Sequence, residues 1–265
     1  MDKSQVIALY DQDQRRDVVY PDQRREVMPH VVRHIATSDT KEGMIVYSQL
    51  TEANADEAIR EEVRFFESIG QNFEWKLYDY DQPHDLKERL ASVGFAVGEA
   101  EAIMVLDLAA APDSLWQPVP PTVRRITDPA KLVDVQAIEE EVWNENSSWV
   151  VEYLGDTLRR LPEWMSVYAV YVDGQPASAA WVYFSPQSQF ASLWGGSTVS
   201  RYRKQGHYTA LLAVRAQEAR ARHVRYLTVD ASPMSRPILE KFGFERIATA
   251  YPCNWECRPR ESGHM

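Results

Sequence analysis

Residues 193–212 read LWGGSTVSRYRKQGHYTALL, and this stretch decides the fold. Its apolar beginning predicts a strand, its basic middle a turn with one glycine, and its end a helix that continues to about Arg222. A helix that begins at such a turn leaves backbone N–H groups unpaired, and its dipole adds partial positive charge. Arg201, Arg203 and Lys204 add full charges, and Gly206 lets a ligand approach the backbone. The stretch therefore predicts an anion-binding turn.

The run Arg203-Lys204-Gln205-Gly206-His207-Tyr208, which follows a strand ending at Val199, resembles motif A of the GNAT acetyltransferases, Arg/Gln-x-x-Gly-x-Gly/Ala. The resemblance implies that this turn holds the pyrophosphate of acetyl-coenzyme A. Tyr208 stands where a small residue is usual, and we expect its side chain to point away from the backbone. An ordinary strand–turn–helix with a basic rim is the alternative. The residues predicted to bind the cofactor are Thr198, Val199, Arg203, Lys204, Gln205, Gly206, His207, Tyr208, Thr209 and Ser232.

Residues 230–244 read DASPMSRPILEKFGF and resemble the family's motif B, Asn-x-x-Ala-x-x-Leu-Tyr-x-x-x-Gly-Phe. Ser232 falls at the asparagine position, and Gly243 suits the end of a helix. Leu239 falls at the tyrosine, which in many relatives is the proposed proton donor to the departing thiolate. Leucine cannot donate a proton, so the resemblance leaves this role without a residue.

Residues 122–256 show the element order β-α-α-β-β-β-α-β-α-β-β, which is the GNAT topology. Predicted strands lie at 122–126, 166–172, 177–184, 189–199, 224–230 and, as a returning pair, 244–255, and the Asp173-Gly174 turn joins the second and third. Asp128 and Pro129 open the first helix as cap and first residue, and further helices lie at 150–160 and 233–242. The order predicts an α/β fold, with a mixed α+β sheet flanked by helices.

The first half repeats this pattern. Strands are predicted at 31–36, 44–50, 73–80 and 102–108, and helices at 51–69, capped by Thr51, and 85–93, after an irregular or helical lead-in at 1–28. Residues 90–95 and 239–244 share the pattern Leu-x-x-x-Gly-Phe. The chain therefore resembles a tandem GNAT protein. The predicted domains are a degenerate GNAT-like domain at 1–110, a proline-containing linker at 111–121 and an acetyltransferase domain at 122–265.

The first copy lacks the features of a coenzyme A site. Its turn, residues 50–57, has no glycine and three carboxylates, Glu52, Asp56 and Glu57. Carboxylates at a helix N-terminus occupy the place of an anion and repel a pyrophosphate. We therefore expect no coenzyme A binding in the first half.

The charge is unevenly distributed. Residues 1–118 carry 12 Lys/Arg against 23 Asp/Glu, whereas residues 119–265 carry 17 against 16. No basic face is evident, which disfavours nucleic acid as a partner. No apolar run is long enough for a membrane span, and no secretory signal is evident. Cys253 and Cys257 have too few ligand types around them for a metal, and we expect free thiols in the cytoplasm.

The catalytic groups are less well defined. The strand at 189–198 has no acid, although many relatives keep a glutamate there. The sequence predicts Asp230 as the base, with helix capping as its alternative role, and Ser235 as an assistant to proton transfer through water. Other carboxylates, Glu139, Glu140 and Glu141, lie on a helix that borders the acceptor pocket in the family; one or two of them can face inward. His207 meets phosphate or solvent, and water alone is a further option.

Backbone groups near Thr198 and Val199 are expected to polarise the thioester carbonyl, as in the family. Gly195-Gly196 predicts a bulge or close packing of a neighbouring aromatic ring.

The resemblance implies an acetyl-coenzyme A-dependent N-acetyltransferase, without a metal, that acts on a small-molecule amine as a monomer or homodimer. A coenzyme A-binding sensor without turnover is the alternative, because Leu239 replaces the tyrosine and the strand carboxylate is missing. Transfer to protein amines or of a longer acyl group stays open. Tryptophans and tyrosines in the second half line the core or an acceptor pocket.

Overall fold

A computed structural model describes residues 2–37 and 42–257. The α-helices are α1 Lys3–Tyr10, α2 Ala55–Ile69, α3 Leu86–Val93, α4 Leu132–Trp143, α5 Ser148–Arg160, α6 His207–Ala221 and α7 Arg236–Glu240. The strands are β1 Gln23–Val27, β2 Val31–Ala36, β3 Gly43–Ser48, β4 Phe73–Tyr78, β5 Ala96–Val97, β6 Glu101–Asp107, β7 Val123–Ile126, β8 Met165–Val172, β9 Gln175–Phe184, β10 Phe190–Thr198, β11 Tyr226–Ala231 and β12 Glu245–Trp255. Strands and helices alternate as a mixed α/β fold requires.

The described residues form two compact units. The first contains residues 2–37, 42–103, 230–236 and 246–257, and the second contains Met104–Val229 and Pro237–Glu245. The chain therefore returns to the first unit twice after leaving it. The predicted boundaries at 110 and 122 stay a prediction, since the units are assembled from several segments.

In the second unit the strands lie in the order β11-β10-β9-β8-β7. Strands β7 to β10 pair antiparallel, whereas β10 and β11 pair parallel because α6 connects them. The predicted hairpin is present, with positive φ at Asp173 and Gly174.

Helices cover both faces of this sheet, as alternate residues of β8 show. Met165 and Val167 lie in a core cluster with residues of α4 and α5. The intervening Ser166 and the following Tyr168 donate hydrogen bonds to Glu218 of α6, at 2.8 and 2.7 Å. Helices α4 and α5 therefore lie on one face and α6 on the other.

The first unit repeats this arrangement. Its strands lie in the order β1-β2-β3-β4-β12, with antiparallel pairs except β3 and β4, which are parallel and joined by α2. The shared Leu-x-x-x-Gly-Phe pattern has the same structure in both copies. Gly94 and Gly243 have φ values of 114° and 84°, and the N–H groups of Phe95 and Phe244 donate to Leu90 and Leu239. The glycines allow this left-handed ending of the helix.

Several elements differ from the prediction. Helix α2 begins at Ala55 after Asn54 rather than at Thr51. The lead-in contains α1, a π-helical segment Asp11–Arg16 and strand β1. Helix α7 is shorter than 233–242, because turns replace its ends. The segment after Phe244 is one long strand, β12, rather than two.

Asp128 caps a short 3-10 helix, Pro129–Lys131, rather than α4 itself, which begins at Leu132. Its Oδ1 accepts from the N–H of Ala130 at 3.0 Å. Within the described part of the chain, neither Cys253 nor Cys257 forms a disulfide. Among residues 2–37 and 42–257, no helix is both long and apolar enough to cross a bilayer. The same residues hold no cluster of His, Cys, Asp and Glu suited to a metal ion.

Candidate active site

The turn before α6 has the backbone geometry of an anion cradle. Gly206 is the N-cap with φ 85°, and no side chain caps the helix. The first N–H groups of α6 therefore have no capping side chain within the helix, and the dipole directs positive charge to them. A Cβ at Gly206 would have no heavy atom within 4 Å, so the space around this residue at the start of α6 is open. This cradle, residues 203–209, fits a phosphate group.

Basic side chains surround the cradle. Arg203 and Lys204 are exposed, and Lys204 has a positive φ of 62°. Arg203 Nε donates to the carbonyl of Thr198 at 3.1 Å, which fixes the turn on the end of β10. Arg201 instead pairs with Glu141 at 2.6 Å, so its charge is partly neutralised. His207 lies at the first helical position with its Nε2 buried and unbonded among the described residues.

Tyr208 points away from the cradle, as the sequence predicted. Its ring Cε2 lies 3.0 Å from the position a Cβ would take at Gly196, where φ is 92°. The tyrosine ring therefore occupies the space that the missing side chain at 196 leaves free. Burial raises the pKa of Tyr208, so it stays protonated at neutral pH.

Strands β10 and β11 separate next to this turn. Their parallel pairing covers only Phe190–Tyr226, Ala191–Leu227 and Ser192–Thr228. Beyond Ser192, the edge of β10 that faces β11 has no ladder partner from that strand. The backbone groups approaching Thr198 are therefore available to a ligand that pairs like a strand.

A bulge follows the point of separation. In the pairing of β10 with β9, Gly195 lies opposite Ala180 and Ser197 opposite Ala179, so Gly196 is the extra residue. Gly195 has φ 67°, and a Cβ there would lie 2.5 Å from the Trp181 ring. Both interpretations of the two glycines, a bulge and a closely packed aromatic ring, are confirmed.

The bulge changes which face Ser197 occupies. Opposite Ala179, it lies on the face covered by α4, whereas strict alternation after Trp194 would turn it toward α6. Ser197 Oγ donates to Glu139 Oε2 at 3.0 Å, and Trp143 Nε1 donates to the same oxygen at 3.0 Å. The extra residue in β10 therefore brings a hydroxyl to a carboxylate on α4.

Glu139 is a buried carboxylate without a cation. The residue is 5% exposed, and no described Lys, Arg or His lies within ion-pair distance of it. Its Oε1 is buried and has no hydrogen-bond partner among the described residues. Burial raises the pKa of Glu139, although the bonds from Ser197 and Trp143 oppose this. A partly desolvated carboxylate with one unsatisfied oxygen has the properties of a general base.

The two neighbouring glutamates have other partners. Glu140 Oε1 accepts from Gln136 Nε2 at 2.7 Å and from the N–H of Ser147 at 3.3 Å, and Glu141 pairs with Arg201. Of the three helical carboxylates, Glu139 is the one that is buried. The signal in the sequence was its position four residues after Val135 on the apolar face of α4.

Aromatic side chains line the same face. Trp149 lies edge-on to Trp181, and Tyr183 lies edge-on to Trp194 and tilted to Tyr153, with ring centroids 6.2 to 6.4 Å apart. Trp143, Trp149 and Trp194 are 54%, 48% and 50% exposed. We call these six residues the aromatic surface. Three half-exposed tryptophans, one of them hydrogen-bonded to a buried carboxylate, expose more aromatic area than isolated surface residues do, which is typical of a binding site.

The other predicted site residues belong to the first unit. Asp230 forms an ion pair with Lys76, which also lies 3.7 Å from Glu101. Ser232 Oγ accepts from the N–H of Ser235 at 3.4 Å, and the two hydroxyls are 3.3 Å apart. The predicted residues from Thr198 to Thr209 thus lie in the second unit, whereas Asp230, Ser232 and Ser235 belong to the first. Leu239, at the tyrosine position of motif B, is fully buried.

The corresponding region of the first unit is filled by the protein itself. Strand β3 has a register shift at Val46, and Arg15 Nε donates to the Val46 carbonyl at 2.8 Å. Arg15 also makes two bonds to Asp81, at 2.8 and 2.9 Å, and its guanidinium lies 3.9 Å from the Tyr78 ring centre. Asp56 pairs with Arg89, and Glu57 with Arg60 and Arg64, at the start of α2. In its described residues, the first unit therefore has neither an open cradle nor an open gap between β3 and β4.

Comparison with known proteins agrees with this geometry. Residues 117–230 match a family model described as "Acetyltransferase (GNAT) domain". A GCN5-related N-acetyltransferase from Kribbella flavida has a TM-score of 0.67 at 14% identity, covering 96% of this chain and 95% of that one. A tandem GNAT protein from the clavulanic acid biosynthesis pathway has a TM-score of 0.59 at 14% identity, covering 92% and 86%. A protein of unknown function from Staphylococcus epidermidis has a TM-score of 0.63 at 11% identity, covering 91% and 96%.

No curated protein matches the sequence. Residues 117–230, which contain motif A, therefore match a GNAT acetyltransferase domain. The three solved structures share the fold over most of the chain.

Proposed function

We propose that the chain is an acetyl-coenzyme A-dependent N-acetyltransferase whose acceptor is the amine of a small molecule. The observation that carries the proposal is the uncapped start of α6 at Gly206, which follows a strand, β10, whose pairing with its parallel neighbour ends at Ser192. The resemblance of this turn to motif A implies that it holds the pyrophosphate of coenzyme A. The uncapped backbone donors and the exposed Arg203 and Lys204 suit its phosphates.

Each part of the site has a chemical task. The N–H groups at the start of α6 bind pyrophosphate oxygens, and the unpaired edge of β10 binds the pantetheine arm by strand-like hydrogen bonds. Backbone donors near Thr198 polarise the thioester carbonyl. The amine attacks the carbonyl carbon, the C–N bond forms and the C–S bond breaks. The amine proton leaves to a base, and the thiolate takes a proton from solvent.

Titration calorimetry with acetyl-coenzyme A tests the cofactor site. The wild type is expected to bind at one site per chain, and Gly206→Glu to lose binding because a carboxylate then occupies the open space. Gly174→Glu is the matched control, since Gly174 also has a positive φ of 77° with nothing within 4 Å of a Cβ. Absence of wild-type binding, or equal loss in both variants, contradicts the assignment.

Turnover separates an enzyme from a sensor. An enzyme forms the N-acetyl product from a panel of amines, detected by mass spectrometry. Binding of acetyl-coenzyme A without product from small amines or from basic peptides favours the sensor. Product from peptides alone favours protein amines as acceptors.

A further inference from the structure

Resting on the proposed function, we infer that the aromatic surface and Glu139 form the acceptor site, and that it takes a primary amine carrying an aromatic group. All the residues involved lie in the second unit, on the face of the sheet covered by α4 and α5. The inference names a substrate class and a base.

The first observation is the unsatisfied oxygen of Glu139. Buried polar atoms in folded proteins are nearly always hydrogen-bonded, so an orphaned carboxylate oxygen calls for a donor. Two fixed donors, Ser197 Oγ and Trp143 Nε1, hold Oε2 and leave Oε1 for a third. An ammonium group supplies both the missing donor and the missing positive charge.

The second observation is the exposure of the tryptophans. Trp143 has its indole N–H bound to Glu139 and Ser197, at 3.0 and 3.1 Å, while half of the side chain is exposed. Trp194 packs edge-on to Tyr183 and is also half-exposed. Anchored rings with free faces bind aromatic groups by edge-to-face packing and cations by cation–π attraction. An arylalkylamine carries both groups.

The third observation is the connection of Glu139 to the cofactor strand. Ser197 is one residue before Thr198, whose carbonyl anchors Arg203 of the cradle. The carboxylate is therefore tied to the segment of β10 that approaches the thioester. Glu139 accepts a proton from the ammonium. The neutral amine then forms the C–N bond as the C–S bond breaks; its second proton passes to solvent, and the thiolate takes a proton from solvent.

The substrate preference is tested with acetyl-coenzyme A at saturation. We expect kcat/KM for 2-phenylethylamine to exceed that for ethanolamine at least tenfold. Trp194→Ala is expected to lower the value for phenylethylamine at least tenfold, mainly through KM, without changing acetyl-coenzyme A affinity. Trp116→Ala is the control, because Trp116 packs on Arg220 away from this surface. Equal rates for the two amines, or no effect of Trp194→Ala, overturn the inference.

The base is tested by the pH profile. The kcat/KM of the wild type is expected to fall at acidic pH, with a midpoint above the usual pKa range of glutamate. Glu139→Gln is expected to lose about 10²–10⁴-fold in kcat and to lose this pH dependence. Retention of the pH dependence in Glu139→Gln, or its loss in Asp230→Asn instead, overturns the role of Glu139.

A binding measurement separates this inference from the proposed function. Phenylethylamine is titrated into the protein saturated with coenzyme A, and quenching of tryptophan fluorescence is followed. Saturable binding that Trp194→Ala weakens supports the acceptor site even when turnover is slow. Binding of coenzyme A without binding of phenylethylamine overturns the inference and leaves the proposed function intact, whereas absence of coenzyme A binding contradicts the proposed function.

Discussion

Ser197 Oγ lies 3.0 Å from Glu139 Oε2 although the two residues are 58 positions apart in the chain. The contact exists because the bulge at Gly196 turns Ser197 toward α4. A local irregularity in one strand thus determines how a buried carboxylate is held.

The first prediction concerns the stability of Glu139→Gln. Burial raises the pKa of Glu139, so the folded state binds its proton more tightly than the unfolded state does. The stability of the wild type therefore falls as pH rises between the unfolded pKa and the raised one. The amide in the variant carries no charge, and we expect the variant to be more stable by about 0.5–2 kcal/mol at pH 8. Calorimetric melting at pH 8 and pH 4 measures this; a variant less stable than the wild type at pH 8 contradicts it.

The second prediction concerns Gly195→Ala. A methyl group at 195 would lie 2.5 Å from the Trp181 ring, and the backbone there is left-handed. We expect a loss of about 2–5 kcal/mol from strain and overpacking together. Gly174→Ala has the same left-handed backbone but open space, so its expected loss is about 1–2 kcal/mol. Urea denaturation compares the two; equal losses would show that the Trp181 contact is unimportant.

The third prediction concerns Arg15. Removing its guanidinium leaves the buried Asp81 without its partner, and we expect Arg15→Met to destabilise the first unit by about 3–5 kcal/mol. The double variant Arg15→Met, Asp81→Leu is expected to recover part of this loss, because the remaining partner of Arg15, Asp11, is partly exposed and can be solvated. Hydrogen exchange of β3 and β4 reports on the unit directly. A double variant as unstable as the single one would show that the bond to Val46 matters more than the charge.

The fourth prediction concerns pH and His34. This side chain is fully buried, and burial lowers its pKa to about 4. The unfolded state takes up the proton first as pH falls below about 6.5, so stability is lost between about pH 6.5 and 4. His34→Phe is expected to remove about 3 kcal/mol of this acid-induced loss, measured by urea denaturation at pH 7.5 and 4.5. His84→Phe, at an exposed position, is expected to keep it.

The sequence predicted most of the fold of the second unit because its signals are local. The Asp173-Gly174 turn, the Asp128 cap and the Gly206 turn each depend on residues adjacent in the chain. Strand β1 was missed since its residues, QRREV, are polar and lack the alternation of a half-buried strand. The length of β12 is set by its pairing with β4, which lies far away in sequence.

In the candidate site, too, the sequence predicted the local features but not the contacts between distant residues. Motif A predicted the Gly206 turn and the start of α6, because a turn and a helix start are encoded locally. The buried state of Glu139 depends on Ser197 and Trp143, and only the folded structure identifies which of three consecutive glutamates meets them. The ion pair of Asp230 with Lys76 could not be predicted from the sequence either, since 154 positions separate the two residues.

The pairing of β12 with β4, from Ala250 opposite Tyr78 to Trp255 opposite Phe73, has a consequence for biosynthesis. A ribosome releases residues 2–103 long before it releases residues 246–255, so the first unit emerges with one edge of its sheet open. The second unit, except for residues 237–245, is synthesised while the edge of β4 is still unpaired. Premature termination near residue 245 would therefore damage the N-terminal unit, and an early exposed strand edge is a binding site for chaperones or for other nascent chains.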